Sequence, residues 1–169
     1  TVEAVMTFIQ ARFVNDCVTK GMDPQAVDAV VSVSFDDVID ILARIDAFTA
    51  IRAEEAFALL AAAYKRIGNI IKDNDETTID ASCFAAAAEE KLYAVFLQVH
   101  EQVQALLARR EYHAALKALL DLKQPVDTFF DEVMVMADDP VQRRNRLNLL
   151  TAIGQLVLQI GDISRMQES

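Results

Sequence analysis

The sequence predicts an all-α fold, and composition, periodicity and helix-boundary signals each support that prediction. Ala and Leu are abundant, 53% of the 169 residues are hydrophobic, and the chain has only 4 Gly and 3 Pro. Apolar residues recur at the three- and four-residue spacing of amphipathic helices, and no stretch shows the alternation of a half-buried strand. We therefore expect a packed helical bundle rather than a disordered chain.

Four helices are expected before the longest polar stretch. The first runs from about Val2 to Lys20, and a short one begins at Asp23-Pro24, with Asp as N-cap and Pro in the first turn. Ser34, with Asp37 three residues on, resembles a capping box that starts the third helix. The fourth helix covers roughly residues 53–72.

The polar stretch at residues 72–82 is the best loop candidate of the chain. Pro125 is expected to break or kink a later helix before an apolar run that ends at Met136. Three further helices are expected, over roughly 84–109 and 112–123 and from Asp139-Pro140 past Ile160.

Bulk properties limit the partners that the chain can have. Its formal charge of −10 argues against general binding of nucleic acid, so any such contact must be local and no DNA partner is expected. No apolar run reaches the roughly 18 residues of a membrane helix, so no membrane partner is expected either. Cys17 and Cys83 stand alone, and we interpret them as small buried residues in a reducing cytoplasm. The chain does not begin with Met, and we expect it to be a piece of a longer protein.

Three arginines lie close together at the start of the last helix. Arg143, Arg144 and Arg146 fall within four positions, with no acid among them. Projection at 3.6 residues per turn places Arg143 and Arg146 on the apolar side of the helix. We therefore expect a structural ion pair between Arg146 and Asp127 or Asp131, which would tie the last two helices together.

Arg144 and Asn148 project instead onto the polar arc of the same helix, which we expect to face solvent. A cation near a helix N-terminus is mildly unfavourable for the helix dipole, so its presence suggests an external anion.

The helix over residues 53–72 carries a similar polar surface. Lys65, Asn69 and Lys72 form one outward stripe, and Arg66 lies beside it. A charged stripe is usually only a solvated face. Two basic patches that also carry Asn, in an otherwise acidic chain, nevertheless favour a ligand with phosphates and polar edges, such as RNA.

The usual catalytic and metal-binding patterns are missing from the sequence. His100 and His113 lack the Glu-x-x-His partner of a carboxylate-bridged metal bundle, and the acidic doublets point to different sides of their helices. No Gly-rich phosphate loop or nucleophile motif occurs. We expect this chain to have no catalytic residues and no metal site of its own.

Several stretches together resemble a known family. The pattern "FFDEVMVMADD" followed by "RRNRLNLL", within residues 125–164, looks like the C-terminal end of the beta subunit of bacterial heterotetrameric glycyl-tRNA synthetases. Residues 58–73, 111–127 and 21–33 extend the resemblance over nearly the whole chain. Gly154 and Gly161 depart from it, because the family usually carries larger residues there.

The resemblance implies a fold and a division of the chain. The region is similar to the helical, DALR-type anticodon-binding domain that arginyl- and cysteinyl-tRNA synthetases share. Residues 51–169 would form this bundle, and residues 1–50 would be a helical lead-in left from the upstream domain.

The resemblance also implies a role in translation. The parent would be a cytoplasmic class II glycine–tRNA ligase, an alpha2-beta2 heterotetramer whose alpha subunit binds ATP and Mg²⁺. This chain would bind the anticodon of glycine tRNA without taking part in the chemistry. The candidate contact residues are Lys65, Arg66, Asn69, Lys72, Arg143, Arg144 and Asn148.

Two other classes of function stay open. One is a structural or subunit-docking helical module without direct RNA contact. The other is a ligand-binding bundle with a core pocket lined by Met134 and Met136, although such a pair more often packs in the core. RNA binding should weaken steeply with ionic strength, whereas binding in an apolar pocket should hardly respond.

Overall fold

The computed structural model describes residues 1–167 and confirms the all-α prediction, because that range contains helices and no strand. The helices are α1 (Val2–Thr19), α2 (Pro24–Val31), α3 (Val38–Ile51), α4 (Glu55–Ile71), α5 (Ala87–Ala108), α6 (Tyr112–Leu119), α7 (Lys123–Glu132) and α8 (Pro140–Leu158). Short 3₁₀ turns lie at Ala81–Cys83, Leu120–Leu122 and Ile163–Met166.

Aspartate side chains start several of these helices. Asp23 and Asp139 each cap a helix whose first residue is Pro, as expected, and each accepts a hydrogen bond from a backbone N–H of the first turn. The cap of α3 is Asp37, so the expected capping box at Ser34 is wrong. The Ser34 hydroxyl instead donates to the Asp36 carboxylate at 2.7 Å, in the turn before the helix.

The expected break at Pro125 is also wrong. Pro125 is the third residue of α7, where its missing N–H costs no helical hydrogen bond because the first four N–H groups of a helix have no partner within it. The junction lies earlier, at the Leu120–Leu122 turn. After Glu132 the chain leaves the helix, and Val133 is extended. The apolar run to Met136 is therefore not helical.

One continuous core joins the helices. α3 packs against α2 and α6, α5 packs against α6 and α7, and α4 packs against α7 and α8. Each of these helices contributes large side chains that are almost completely buried. Examples are Phe48, Leu92, Leu116, Phe129 and Leu149.

Residues 1–50 share this core. The Asp162 N–H donates to the carbonyl of Ala29 at 2.8 Å, and Arg44 donates to the carbonyls of Gln159 and Ile160 at 2.6 and 3.1 Å, so α2 and α3 are tied to the chain that follows α8. The predicted domain boundary at residue 50 stays a prediction.

The two glycines that depart from the family pattern both lie at close approaches. A Cβ at Gly154 would lie 3.1 Å from Ile71 Cδ1, where α8 crosses α4. A Cβ at Gly161 would lie 2.7 Å from Phe48 Cζ, well inside van der Waals contact. Both glycines therefore allow denser packing of the neighbouring helices in this chain.

The first helix is the least buried of the α-helices within residues 1–167. It packs mainly against α2, and Cys17 is its one buried residue. Its exposed apolar side chains include Val2, Val5, Met6, Phe8 and Ile9. Between residues 1 and 167, no helix combines the length and the apolar character that crossing a membrane requires.

Candidate nucleic-acid interface

A polar strap covers the arc of α8 that projection assigned to solvent. The strap consists of residues 72–86, between α4 and α5. Asn145 holds it in two directions: its Oδ1 accepts from the Asp80 N–H at 2.8 Å and its Nδ2 donates to the Asp80 carbonyl at 3.0 Å. The Asn148 Nδ2 donates to the carbonyl of Thr78 at 2.7 Å. Two α8 amides therefore bind the backbone of the strap.

A third amide completes this contact from the side of the strap. Asn74 Nδ2 donates to Thr151 Oγ1 at 2.6 Å and to Asn148 Oδ1 at 3.3 Å. Asn148 is only 2% exposed and Asn145 only 6%. The expectation that Asn148 faces solvent is therefore wrong, because both ends of its amide hold the strap, and this burial argues against its predicted contact with tRNA.

Arg146 forms a buried ion pair, as expected, but with a different partner. Its Nε donates to Glu89 Oε1 at 2.7 Å and its Nη2 to Glu89 Oε2 at 3.3 Å. Its Nη1 donates to the Met134 carbonyl at 2.8 Å. The predicted pairing with Asp127 or Asp131 is wrong: Asp127 pairs with Lys123 within α7, and Asp131 is exposed.

Glu89 belongs to one of the acidic doublets of the sequence, and its buried carboxylate caps the start of α5. Its Oε2 accepts from the N–H groups of Ala85 and Ala86 at 2.9 and 2.8 Å, at the start of α5. Burial raises the pKa of the Glu89 carboxyl, but Arg146 and the two N–H groups outweigh burial and hold the pKa below its usual value. Glu89 is the partner of Arg146 that sequence reasoning missed, although its position in the first turn of α5 was a signal for capping.

The other two arginines of α8 differ in exposure. Arg143 is half-buried, and its Nη1 donates to the Ala137 carbonyl at 3.1 Å. Arg144 is exposed and lines a cleft of about 430 Å³ between the strap and the first turns of α8. The other lining residues are Glu76, Thr78, Asp80, Cys83, Pro140, Val141, Asn145 and Asn148.

The α4 candidates are all at the surface. Lys65, Asn69 and Lys72 are exposed along one face of the helix, and Arg66 is exposed on its flank. The Arg66 guanidinium carbon lies 4.1 Å from the ring centroid of Phe130, which belongs to α7. This separation is well within the range of a cation–π contact.

The cations without an ion pair are concentrated in these two places. Within residues 1–167, nine of the 16 Lys and Arg side chains form ion pairs, which leaves seven that do not. Five of the seven are candidate residues: Lys65, Arg66, Lys72, Arg143 and Arg144. In a chain with 26 acidic residues, cations that remain unpaired in so few places can bind an external anion.

Met134 and Met136 do not pack in the core and do not line a core pocket. Met134 is 72% exposed and Met136 is 60% exposed, on the non-helical segment between α7 and α8. The structure therefore contradicts both interpretations of this pair, and the rival function as a ligand-binding bundle loses the pocket on which it depended.

Comparison with known proteins places the chain in a family. A sequence profile of the DALR anticodon binding domain matches residues 60–163. A glycine–tRNA ligase beta subunit of Geobacter sp. (strain M21) is 43% identical over 162 residues, which are 96% of this chain and 23% of that protein. Beta subunits of the same name from Syntrophus aciditrophicus (strain SB) and Leptothrix cholodnii (strain ATCC 51168 / LMG 8142 / SP-6) are 38% and 40% identical, each over 96% of this chain and over 24% and 23% of the relative. The chain thus spans about a quarter of the length of the curated relatives it matches. The profile covers more than half of its residues, so the chain belongs to the DALR anticodon binding domain family.

Proposed function

We propose that the chain binds the anticodon loop of glycine tRNA, as the anticodon-binding region of a glycine–tRNA ligase beta subunit. The observation that carries this proposal is the set of unpaired cations on α4 and at the start of α8. The family of the chain and the name of its relatives agree with it. The net charge of −10 would oppose RNA elsewhere on the chain and so restrict binding to this surface.

The proposed contacts divide into two kinds. Lys65, Lys72 and Arg144 would hold phosphates, since exposed cations with no carboxylate partner can neutralise them. Asn69 would read a base edge, because an exposed amide carries both donors and an acceptor. Asn148 is no longer a candidate reader. Arg143 can contribute charge, although one of its donors is committed to the Ala137 carbonyl.

This role supplies binding energy and not chemistry. The parent protein would be a cytoplasmic class II ligase that uses ATP and Mg²⁺ on an alpha subunit, in an alpha2-beta2 assembly. In such an assembly the present chain would favour the correct tRNA by binding it more tightly than others, so that its acceptor end reaches the catalytic subunit.

The test is a filter-binding comparison between glycine tRNA and the same tRNA with its anticodon exchanged. The chain should bind the natural tRNA more tightly, and the preference should persist as salt is raised while both affinities fall. Equal affinity for the two tRNAs at all salt concentrations would contradict anticodon recognition.

A subunit-docking role is the second candidate, and the exposed apolar residues of α1 favour it. Apolar surface of this kind is typical of protein contacts. The two roles use different surfaces, so RNA-binding measurements can separate them. If the chain binds RNA, substitutions on α4 should weaken that binding. If the chain serves only to dock a subunit, the unmutated chain should have negligible affinity for RNA.

A further inference from the structure

Arg66 is held differently from the other candidate cations. Its guanidinium carbon lies 4.1 Å from the centroid of the Phe130 ring, yet its side chain is exposed. Within residues 1–167 it forms no ion pair and no side-chain hydrogen bond. One side of the group is therefore covered by an aromatic ring, while its N–H donors face no protein acceptor.

The ring beneath Arg66 is fixed in place. Phe130 packs edge-on against Phe129 with ring centroids 5.9 Å apart, and Phe129 is completely buried. α7, which carries both rings, packs against α4. The Arg66 side chain therefore rests on a surface that belongs to the core, and holding it there costs little further side-chain entropy on binding.

Arg66 lies beside the exposed stripe that Lys65, Asn69 and Lys72 form on α4. Arg66 is about 100° around α4 from Lys65, on the flank that faces α7. A ligand whose phosphates contact Lys65 and Lys72 would therefore pass beside the Arg66–Phe130 pair.

We propose that Arg66, resting on Phe130, is a stacking platform for one unpaired nucleobase of single-stranded RNA. The proposal rests on the function proposed above and names the chemistry of one contact within it. A guanidinium plane can stack on any base, and its in-plane donors can at the same time bind a phosphate or a base edge. A lysine at this position could supply the charge but not the plane.

The test uses the 169-residue chain and the anticodon stem-loop of glycine tRNA, together with a series in which each loop base in turn is removed to leave an abasic site. Arg66→Lys keeps the charge and removes the plane. It should weaken binding by roughly tenfold while leaving the salt dependence of binding unchanged. Removing one particular loop base should weaken wild-type binding to a similar extent. Removing the same base should change binding by Arg66→Lys little, because this variant cannot stack on that base in the first place.

Three further variants sharpen the result. Arg12→Lys is the same substitution at another exposed arginine near a phenylalanine, 5.9 Å from the ring of Phe8 on α1, and it should bind as the wild type does. Lys65→Ala should lower the salt dependence of RNA binding. The binding free energy that it loses should add to the loss caused by each abasic site. Phe130→Leu should weaken binding in the same direction as Arg66→Lys, provided that its melting temperature shows a folded chain.

The outcomes separate this inference from the function on which it rests. Wild-type binding with an unaffected Arg66→Lys variant, or losses that add at every loop position, would overturn the platform alone. No salt-dependent binding of the stem-loop by the wild-type chain would overturn the proposed function and the platform with it.

Discussion

Arg144 and Arg146 are two positions apart on α8 and have opposite environments. Arg146 is 7% exposed and reaches across to Glu89 on α5, whereas Arg144 projects into solvent at the edge of the cleft beside the strap. The helical period separates the two side chains by about 200° around the axis, which is why sequence alone assigns one to packing and the other to a ligand. The identity of the partner of Arg146 depends on how α5 and α8 cross, and no periodicity within α8 contains that information.

Replacement of Arg146, which forms the ion pair, should therefore lower the stability of the fold, whereas replacement of Arg144 should not. Arg146→Ala leaves a buried carboxylate without its cation and should cost about 3–5 kcal/mol in the free energy of unfolding. Arg144→Ala should change that free energy by no more than about 0.5 kcal/mol. Chemical denaturation of the two variants beside the wild type measures both values. Equal stabilities would show that the pair contributes nothing to the fold.

The same pair should make stability depend on pH. The pKa of Glu89 is lower in the folded chain than its ordinary value of about 4.3, so its contribution is complete above that pH and is lost as the pH falls through the folded-state pKa. Glu89→Gln cannot titrate at this position. The difference in unfolding free energy between wild type and Glu89→Gln should be largest near pH 7 and should shrink below about pH 4. A difference that stays constant from about pH 7 to about pH 3 would contradict this origin.

At the level of single elements, the packing of the strap against α8 is the feature that could not be predicted from the sequence. Its composition correctly predicts a loop, and the acidic caps and first-turn prolines correctly predict where α2 and α8 begin. The polar arc of α8 is mistaken for a solvent face because a helical wheel shows only one helix. A row of Asn and Thr side chains serves equally well to hold another segment of backbone, and here Asn145 and Asn148 do so.

Removal of one strap amide should loosen the strap without unfolding the bundle. Asn145→Ala removes both hydrogen bonds to the backbone of Asp80, each of which contributes roughly 0.5–1.5 kcal/mol because water can take its place at this exposed residue. Limited proteolysis should then cut within residues 72–86 faster than in the wild type. Asn69→Ala, which changes an exposed amide on α4, is the matched control and should be cut at the wild-type rate. Unchanged cleavage of Asn145→Ala would mean that the strap is held by other contacts.

Over the whole molecule, charge is distributed so that attraction for RNA is local. The chain carries −10 overall, yet five of its seven unpaired cations within residues 1–167 lie on α4 and at the start of α8. Sequence reasoning found this set because clusters of like charge stand out in an acidic chain. It could not tell that Arg146 belongs to the core, that Asn148 is used by the strap, or that Arg66 rests on Phe130, because each of these depends on contacts between helices.

The most direct test of this account is the salt dependence of tRNA binding. A variant with Lys65, Lys72 and Arg144 changed to Ala should bind glycine tRNA more weakly. Its log–log salt slope should be flatter by roughly two to three units, because each of the three cations is expected to neutralise one phosphate. A control variant with Arg12, Lys91 and Arg109 changed to Ala removes the same charge elsewhere on the surface and should keep nearly the wild-type slope. A wild-type slope in the first variant, or an equal flattening in the control, would contradict the placement of the RNA on α4 and the start of α8.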